Sequence, residues 1–244
     1  SELAYDQSPV SKGEESMSDP VLTKAIKDAA IEMNADFIGI ADPSCFLNPD
    51  YLGNRPQEIM PGLRSVIVLG VGIPRGAFEP LPKGRAEYTN TLMAATATLR
   101  VIAFQIARMI EKQGYRATIV PPEGSEFGYW YADRETLKAS VSIKYAGYCA
   151  GLGNFGMNHL LITEGFGPRV RMTALLTDAP LEADENGSMP FIHEHCRSCL
   201  KCIDICPVGA ISPDGKIDRH KCAEYMFNAL GGLRCGLCIN VCPL

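Results

Sequence analysis

The chain has 244 residues, enough for one compact domain with a small appendage, and its 46% hydrophobic and 21% charged content is that of an ordinary globular protein. Lys and Arg number 23 against 28 Asp and Glu, a net charge of −5. With no long basic block, the composition speaks against a nucleic-acid surface, which relies on clustered cations to meet phosphate.

Ser1–Ser16 is polar and aperiodic, and reads as a disordered leader or an appended remnant, with Met17 as a natural start. Asp19-Pro20 is an N-cap followed by proline at the first helical position, predicting a helix to about Asn34 with Val21, Leu22, Ala25, Ile26, Ala29 and Met33 as its apolar stripe. Asp36–Ala41 and Ser65–Val71 read as strands, separated by a Pro-, Asn- and Gly-rich loop from Pro43 to Pro61. Ala86–Gln113 is the longest periodic segment. Leu92, Ala95, Leu99, Ile102, Ile106 and Met109 recur every three or four residues, the pattern of a core-facing helix. Arg100, Gln105 and Arg108 interrupt its apolar stretch, so no membrane span is expected. Tyr115–Val120 follows as a strand, then a loop from Pro121 to Asp133 that holds Trp130. A helix from about Leu137 to Cys149 runs into a glycine turn, and strands are expected near His159–Thr163 and Val170–Thr177. Irregular alternation with neighbouring late strands predicts an α+β sandwich. Gly151-x-Gly153-x-x-Gly156 has the spacing of a dinucleotide fingerprint, but a predicted helix stands where that motif needs a strand.

From Phe191 onward the composition changes, giving expected segments of 17–190 and 191–244. Eight of the ten cysteines lie in this last part. The runs are Cys196-x2-Cys199-x2-Cys202-x3-Cys206-Pro207, and Cys222 followed after twelve residues by Cys235-x2-Cys238-x3-Cys242-Pro243. Three thiolates so spaced wrap one face of an iron–sulfur cube, and the fourth, before proline, reaches the other cube. The expected ligand sets are Cys196, Cys199, Cys202 and Cys242 for cluster one, and Cys206, Cys222, Cys235 and Cys238 for cluster two. Zinc ribbons use separated ligand pairs and do not make a triple run ending in Cys-Pro. Cys45 and Cys149 read as small buried hydrophobes, free thiols in a reducing compartment. With no secretion core and no twin-arginine pair in the sequence, the cytoplasm is the expected location.

The segments Ala150-Gly151-Leu152-Gly153-Asn154-Phe155-Gly156, His159-Leu160-Leu161-Ile162-Thr163, Phe166-Gly167-Pro168-Arg169-Val170-Arg171 and Leu176-Thr177-Asp178-Ala179-Pro180-Leu181 precede this module in order. Together they resemble the superfamily of epoxyqueuosine reductases and reductive dehalogenases, continuously from about Tyr145 to Cys242 and more loosely over Tyr88–Ala117. The resemblance implies a nitroreductase-like domain, two 4Fe–4S clusters and a base-off cobalamin. Electrons from a ferredoxin or flavodoxin would cross the clusters to the corrinoid, for reduction of a small organic substrate. The sequence stops two residues after Cys242, which implies a short member without the tRNA-binding repeat domain.

By resemblance, Ala150 to Met157 would border the cofactor, while the residues alone equally describe a tight turn needing positive φ. Met157 stands where relatives carry Lys or Arg. The acidic proton donor of epoxyqueuosine reductases falls on Leu137, with Asp133 nearby. Candidate catalytic residues are Tyr88, in the region of the dehalogenase tyrosine, Tyr131, and Lys144 as a displaced cation. Tyr129, Tyr145 and Tyr148 are further phenols, and each of these residues also reads as ordinary core or surface. Arg169 and Arg171 share one strand face and could meet corrinoid side chains or the surface. Two other functions remain open. The chain could reduce or carry the corrinoid for a partner corrinoid protein, or be a dicluster electron carrier with flavin. The sequence does not fix the oligomeric state.

Overall fold

The computed structural model describes residues 18–126, 129–187 and 189–244. The expected leader, 1–16, lies outside them.

Its centre is a four-stranded antiparallel sheet in the order β1-β2-β8-β3, formed by Phe37–Ala41, Ser65–Gly72, Val170–Thr177 and Ala117–Val120. β2 and β8 pair along their whole length, Ser65 opposite Thr177 and Gly72 opposite Val170. Being inner strands, they are apolar on both faces, and alternation sorts their side chains into two cores. Ile67, Leu69, Val71 and Leu175 face α1 (Pro20–Glu32) and α2 (Arg85–Lys112). Val66, Val68, Ala174 and Leu176 face α3 (Ile143–Cys149) and the turn of Pro43–Leu47. The sandwich expected from the sequence is therefore a sheet with two helices on one face and a short helix on the other.

α1 starts as its sequence dictates: Asp19 Oδ1 accepts from the Leu22 amide at 2.9 Å, and Pro20 follows. α2 is long and apolar enough to cross a membrane by length and composition, contrary to expectation. Its apolar face nevertheless lies on the sheet, with Leu92, Leu99, Ile102 and Ile106 buried, as in a core helix.

α3 is shorter than expected. Its predicted first residues belong to a turn in which Asp133 Oδ1 accepts from the Thr136 amide and hydroxyl, each at 2.7 Å, and Leu137 takes φ 53°. Ser142 then caps the helix by accepting from the Tyr145 amide. A second correction concerns Cys45 and Cys149. Both lie in the core as expected, but they are joined as a disulfide across 104 residues, tying the Pro43–Leu47 turn to the end of α3. The sequence offered no cue, because only the fold brings two positions so far apart together.

Two further hairpins complete the larger layer. β4 (Ser125–Glu126) pairs with β5 (Tyr129–Trp130), and β6 (Gly153–Phe155) with β7 (Leu161–Thr163). The cysteine-rich part consists of short helices: the single turns α4 (Cys196–Cys199), α5 (Lys201–Asp204) and α7 (Leu237–Asn240), and α6 (Arg219–Glu224), which continues as a π-helix over Tyr225–Ala229.

Leu175 is fully buried between the helices and the sheet, whereas Val101 is 61% exposed on the far side of α2. Leu175→Ala should lose about 2–5 kcal/mol of stability, and Val101→Ala about 0.5 kcal/mol or less, measured by denaturant unfolding. Equal losses would show that α2 does not present this face to the sheet.

Candidate functional site

The two cysteine runs fold as near-copies. Leu200 in the first and Gly236 in the second occupy the same place, just after the cysteine that opens each Cys-x2-Cys pair, and both are left-handed, at φ 51° and 70°. That kink starts α5 and α7 and turns the neighbouring thiols to one side. Glycine is required at 236, where a Cβ would sit 2.5 Å from the Tyr88 ring; the freer position 200 tolerates leucine.

The thiols lie in two neighbourhoods. Burial, then Cys196, Cys242 and Cys199, push Cys202 up to about 11. Cys242 is raised by burial and by Cys196 and Cys199. Cys222 is raised by burial, Cys235 and Cys206. Cys238 is pushed to about 12, by burial first and then by Cys222 and Cys235, with Cys202 and Cys206 adding to it. Cys202 and Cys242 thus neighbour Cys196 and Cys199, Cys238 and Cys222 neighbour Cys235 and Cys206, and Cys202 also acts on Cys238. Around the first, Met157, Asn158, Ile162, Leu200 and Pro243 close a cavity with Cys196, Cys199, Cys202 and Cys242. Among the described residues no three Cys, His or carboxylate groups converge as they would on a single metal ion. Thiols spread around a cavity suit a cube better than a point. The Ala210 amide donates to Cys206 Sγ at 3.3 Å, a contact that stabilises thiolate sulfur.

The cluster-two tetrad is approached from both layers of the larger part. Tyr88, in the first turn of α2, is 1% exposed, packed on Gly236 and Phe78. Burial raises its phenol strongly; Arg171 opposes that shift, while Cys238 and Cys235 add to it. From the opposite layer comes Lys144 of α3, whose Nζ donates to the His159 carbonyl at 2.6 Å. His159 Nε2 in turn donates to Gly215 O at 2.6 Å, and burial lowers its pKa and keeps the ring neutral. Met157 Sδ lies near Gly215, the residue whose carbonyl His159 bonds, so it lies in the same neighbourhood as the Lys144–His159 contact.

The third candidate stands apart. Tyr131 is 45% exposed and lines a surface groove with Arg100, Phe104, Ile119, Pro121 and Pro122. Tyr145 and Tyr148 are tied to backbone, donating to Cys45 O and Met189 O. Asp133 is held in its turn, and the Thr136 hydrogen bonds lower its pKa, the wrong direction for a proton donor at neutral pH. The side chain of Tyr129 lies outside the described residues.

Arg171 does not face solvent. It pairs with Glu123, and Arg234 approaches the same carboxylate at 3.7 Å. Arg171 Nε is buried with no hydrogen-bond partner among the described residues, and burial lowers its pKa to about 10. Arg234 also bonds Ser125 O and, through its amide, Thr89 Oγ1, clamping the cysteine module to the larger layer. Glu123 and Arg234 carry no sequence signal, since isolated charges 111 positions apart look like surface residues. Arg169 instead donates to Leu244 O at 3.0 Å, beside Cys242.

The glycine turn packs against its own chain. A Cβ at Gly151 would lie 2.7 Å from Glu185 O, and one at Gly153 2.1 Å from Ile162 O. Asn154 Nδ2 donates to Pro190 O, and Phe155 stacks on Phe191 at 4.6 Å. The close approaches that these glycines permit are thus made by residues 162 and 185, not by a cradle facing a flat macrocycle. Gly151 and Gly153 are therefore accounted for by the chain's own packing. The buried, unsatisfied Arg171 Nε fits a polar group of some ligand. A helix precedes the turn, and no helix follows β6 directly, so the dinucleotide reading fails as expected.

Residues 195–244 match the 4Fe-4S dicluster domain family. Tetrachloroethene reductive dehalogenase of Dehalobacter restrictus is 31% identical over 173 residues, 62% of this chain and 28% of that protein. Epoxyqueuosine reductase of Bacillus cereus is 34% identical over 203 residues, 78% of this chain and 50% of that protein. In structure, the chain is similar to a reductive dehalogenase described in terms of B12-dependent dehalogenation, with a TM-score of 0.71 at 24% identity over 96% of this chain and 33% of the other. A selenomethionine-labelled epoxyqueuosine reductase gives 0.61 at 19% identity, over 91% and 65%. Fold and cysteine module together define a dicluster iron–sulfur protein. The chain is similar to epoxyqueuosine reductases and to reductive dehalogenases, and spans half or less of the length of the two curated relatives.

Crossed ligation makes a specific demand. Cys206→Ser should cost cluster two, although Cys206 belongs by sequence to the first run, leaving about four irons per chain in place of about eight. Loss of the signal assigned to Cys196, Cys199, Cys202 and Cys242 would contradict the crossed tetrads.

Proposed function

We propose that this chain is an iron–sulfur oxidoreductase that takes low-potential electrons from a ferredoxin or flavodoxin and relays them through two adjoining 4Fe–4S clusters. The acceptor would sit against the Tyr88–Arg171 face of a nitroreductase-like layer. The observation carrying this reading is the pair of crossed, mutually adjacent thiol tetrads, with Tyr88 packed on the second. Similarity to reductases supports it.

By kinship the acceptor is a base-off cobalamin, which when bound supplies a low-potential cobalt for reducing a small organic substrate. The residues of this chain do the remaining work. Arg171 offers an unsatisfied buried donor to a polar group, and its Glu123 partner fixes its direction. Tyr88 is held as a neutral phenol by burial, so it can donate a proton. The Arg234 clamp keeps the clusters against this face and excludes water from it.

A second reading has an observation of its own. Tyr131, Lys144 and Asp133 do not converge on Tyr88, as a substrate site with several proton donors would require. This favours a reading in which the chain reduces a corrinoid for a partner corrinoid protein.

Anaerobically reconstituted protein should hold about eight iron and eight sulfide and bind added cobalamin one to one, with a base-off spectrum. Arg171→Met should weaken that binding while leaving the iron content unchanged. Full iron loading with no cobalamin retained would dismiss the corrinoid, and half loading would dismiss the two-cluster relay. Turnover of halogenated or epoxide substrates separates the enzyme from the corrinoid reductase.

A further inference from the structure

Lys144 has an unusual electrostatic position. Its side chain turns inward from α3 to the His159 carbonyl, and Asn158, next in the chain to His159, donates to Cys238 O at 3.3 Å. Among the described residues no carboxylate forms an ion pair with it. Burial, and then Arg219, lower its pKa to about 8, and the sulfurs of Cys238 and Cys222, which would be thiolates around a cube, act in the opposite sense. A desolvated ammonium that lacks a carboxylate needs some other counter-charge. A cube bearing four thiolates supplies one, and the attraction grows with each electron that the cube accepts.

We propose that Lys144 is a positioning charge for cluster two, raising that cube's reduction potential and making it the one that retains the electron. This rests on the two-cluster reading given above. Cluster one has a cation of its own in Arg169, but that guanidinium donates to Leu244 O rather than turning into the protein. A lysine that served only to anchor the His159 carbonyl would matter for stability and leave the potential alone.

The experiment is a redox titration of the whole chain, monitored by electron paramagnetic resonance, on samples shown first to carry both clusters. The Cys206→Ser variant, which keeps cluster one alone, assigns the signals. Lys144→Met should move the cluster-two midpoint to lower potential and leave cluster one where it was. Lys144→Arg should restore a near-native midpoint, because charge rather than shape is at work. Lys144→Gln keeps a donor for the His159 carbonyl and should behave like the methionine variant. Unchanged midpoints in both neutral variants with full iron content would overturn the proposal, as would an equal downward shift in Lys144→Arg. A wild-type chain that never binds eight irons fails on the two-cluster reading itself.

Discussion

The structure depends on gathering eight thiols into a small volume at one end of a sandwich. Burial raises the thiols at Cys202, Cys222, Cys238 and Cys242, and their neighbours raise them further. Such a group of anions is stable only around a cationic core, so metal loading and folding of this part are one event. Crossed ligation adds a topological consequence. Cys206 and Cys242 each leave their own run for the other tetrad, so neither half can form without the other. The short helices between the cysteines bury too little apolar surface to stand alone, and inorganic clusters take the place of a hydrophobic core.

This dependence explains how the module is held. The module has little apolar core of its own; Leu237 and Ile239 pack on the cluster around Tyr88 and Leu92, Phe227 meets Trp130, and polar contacts add to these. Arg234 reaches Ser125 O, Thr89 Oγ1 and the Glu123 carboxylate, and stacks on Phe227 at 5.2 Å. Arg171 shares that carboxylate from β8. Two guanidiniums on one buried acid make a strong clamp, because removing either leaves charge unbalanced in a poorly solvated place. Gly236 adds a steric condition, since any side chain there would collide with Tyr88.

Much of this was legible in the sequence for physical reasons. Cluster ligation is a short-range chemical constraint, so its signature survives as fixed spacing. The inner strands are readable because a strand buried on both faces is a continuous apolar run, as in Ser65–Gly72. What failed was conditional on tertiary contact. Leu137 looks like a helix residue by type, yet Asp133 captures the local amides and turns the backbone left-handed. Cys45 and Cys149 carry no mark of each other. Gly151 and Gly153 look the same whether a macrocycle or the chain's own carbonyls approach, because glycine records only that something comes close. Here that something is Glu185 and Ile162.

The same logic bears on where chemistry can occur. Strand alternation sends Arg171 of β8 to the α2 side, with Tyr88. Lys144 arrives on the other side, from α3. Cluster two is thus flanked by a neutral phenol and a buried guanidinium on one face and an ammonium on the other. The first pair includes an unsatisfied donor and so can still engage a ligand; the ammonium is already satisfied by a carbonyl and by the sulfur ligands. On the proposed reading a polar acceptor belongs on the Tyr88 side, and Lys144 would act on it only through the charge state of the cluster between them.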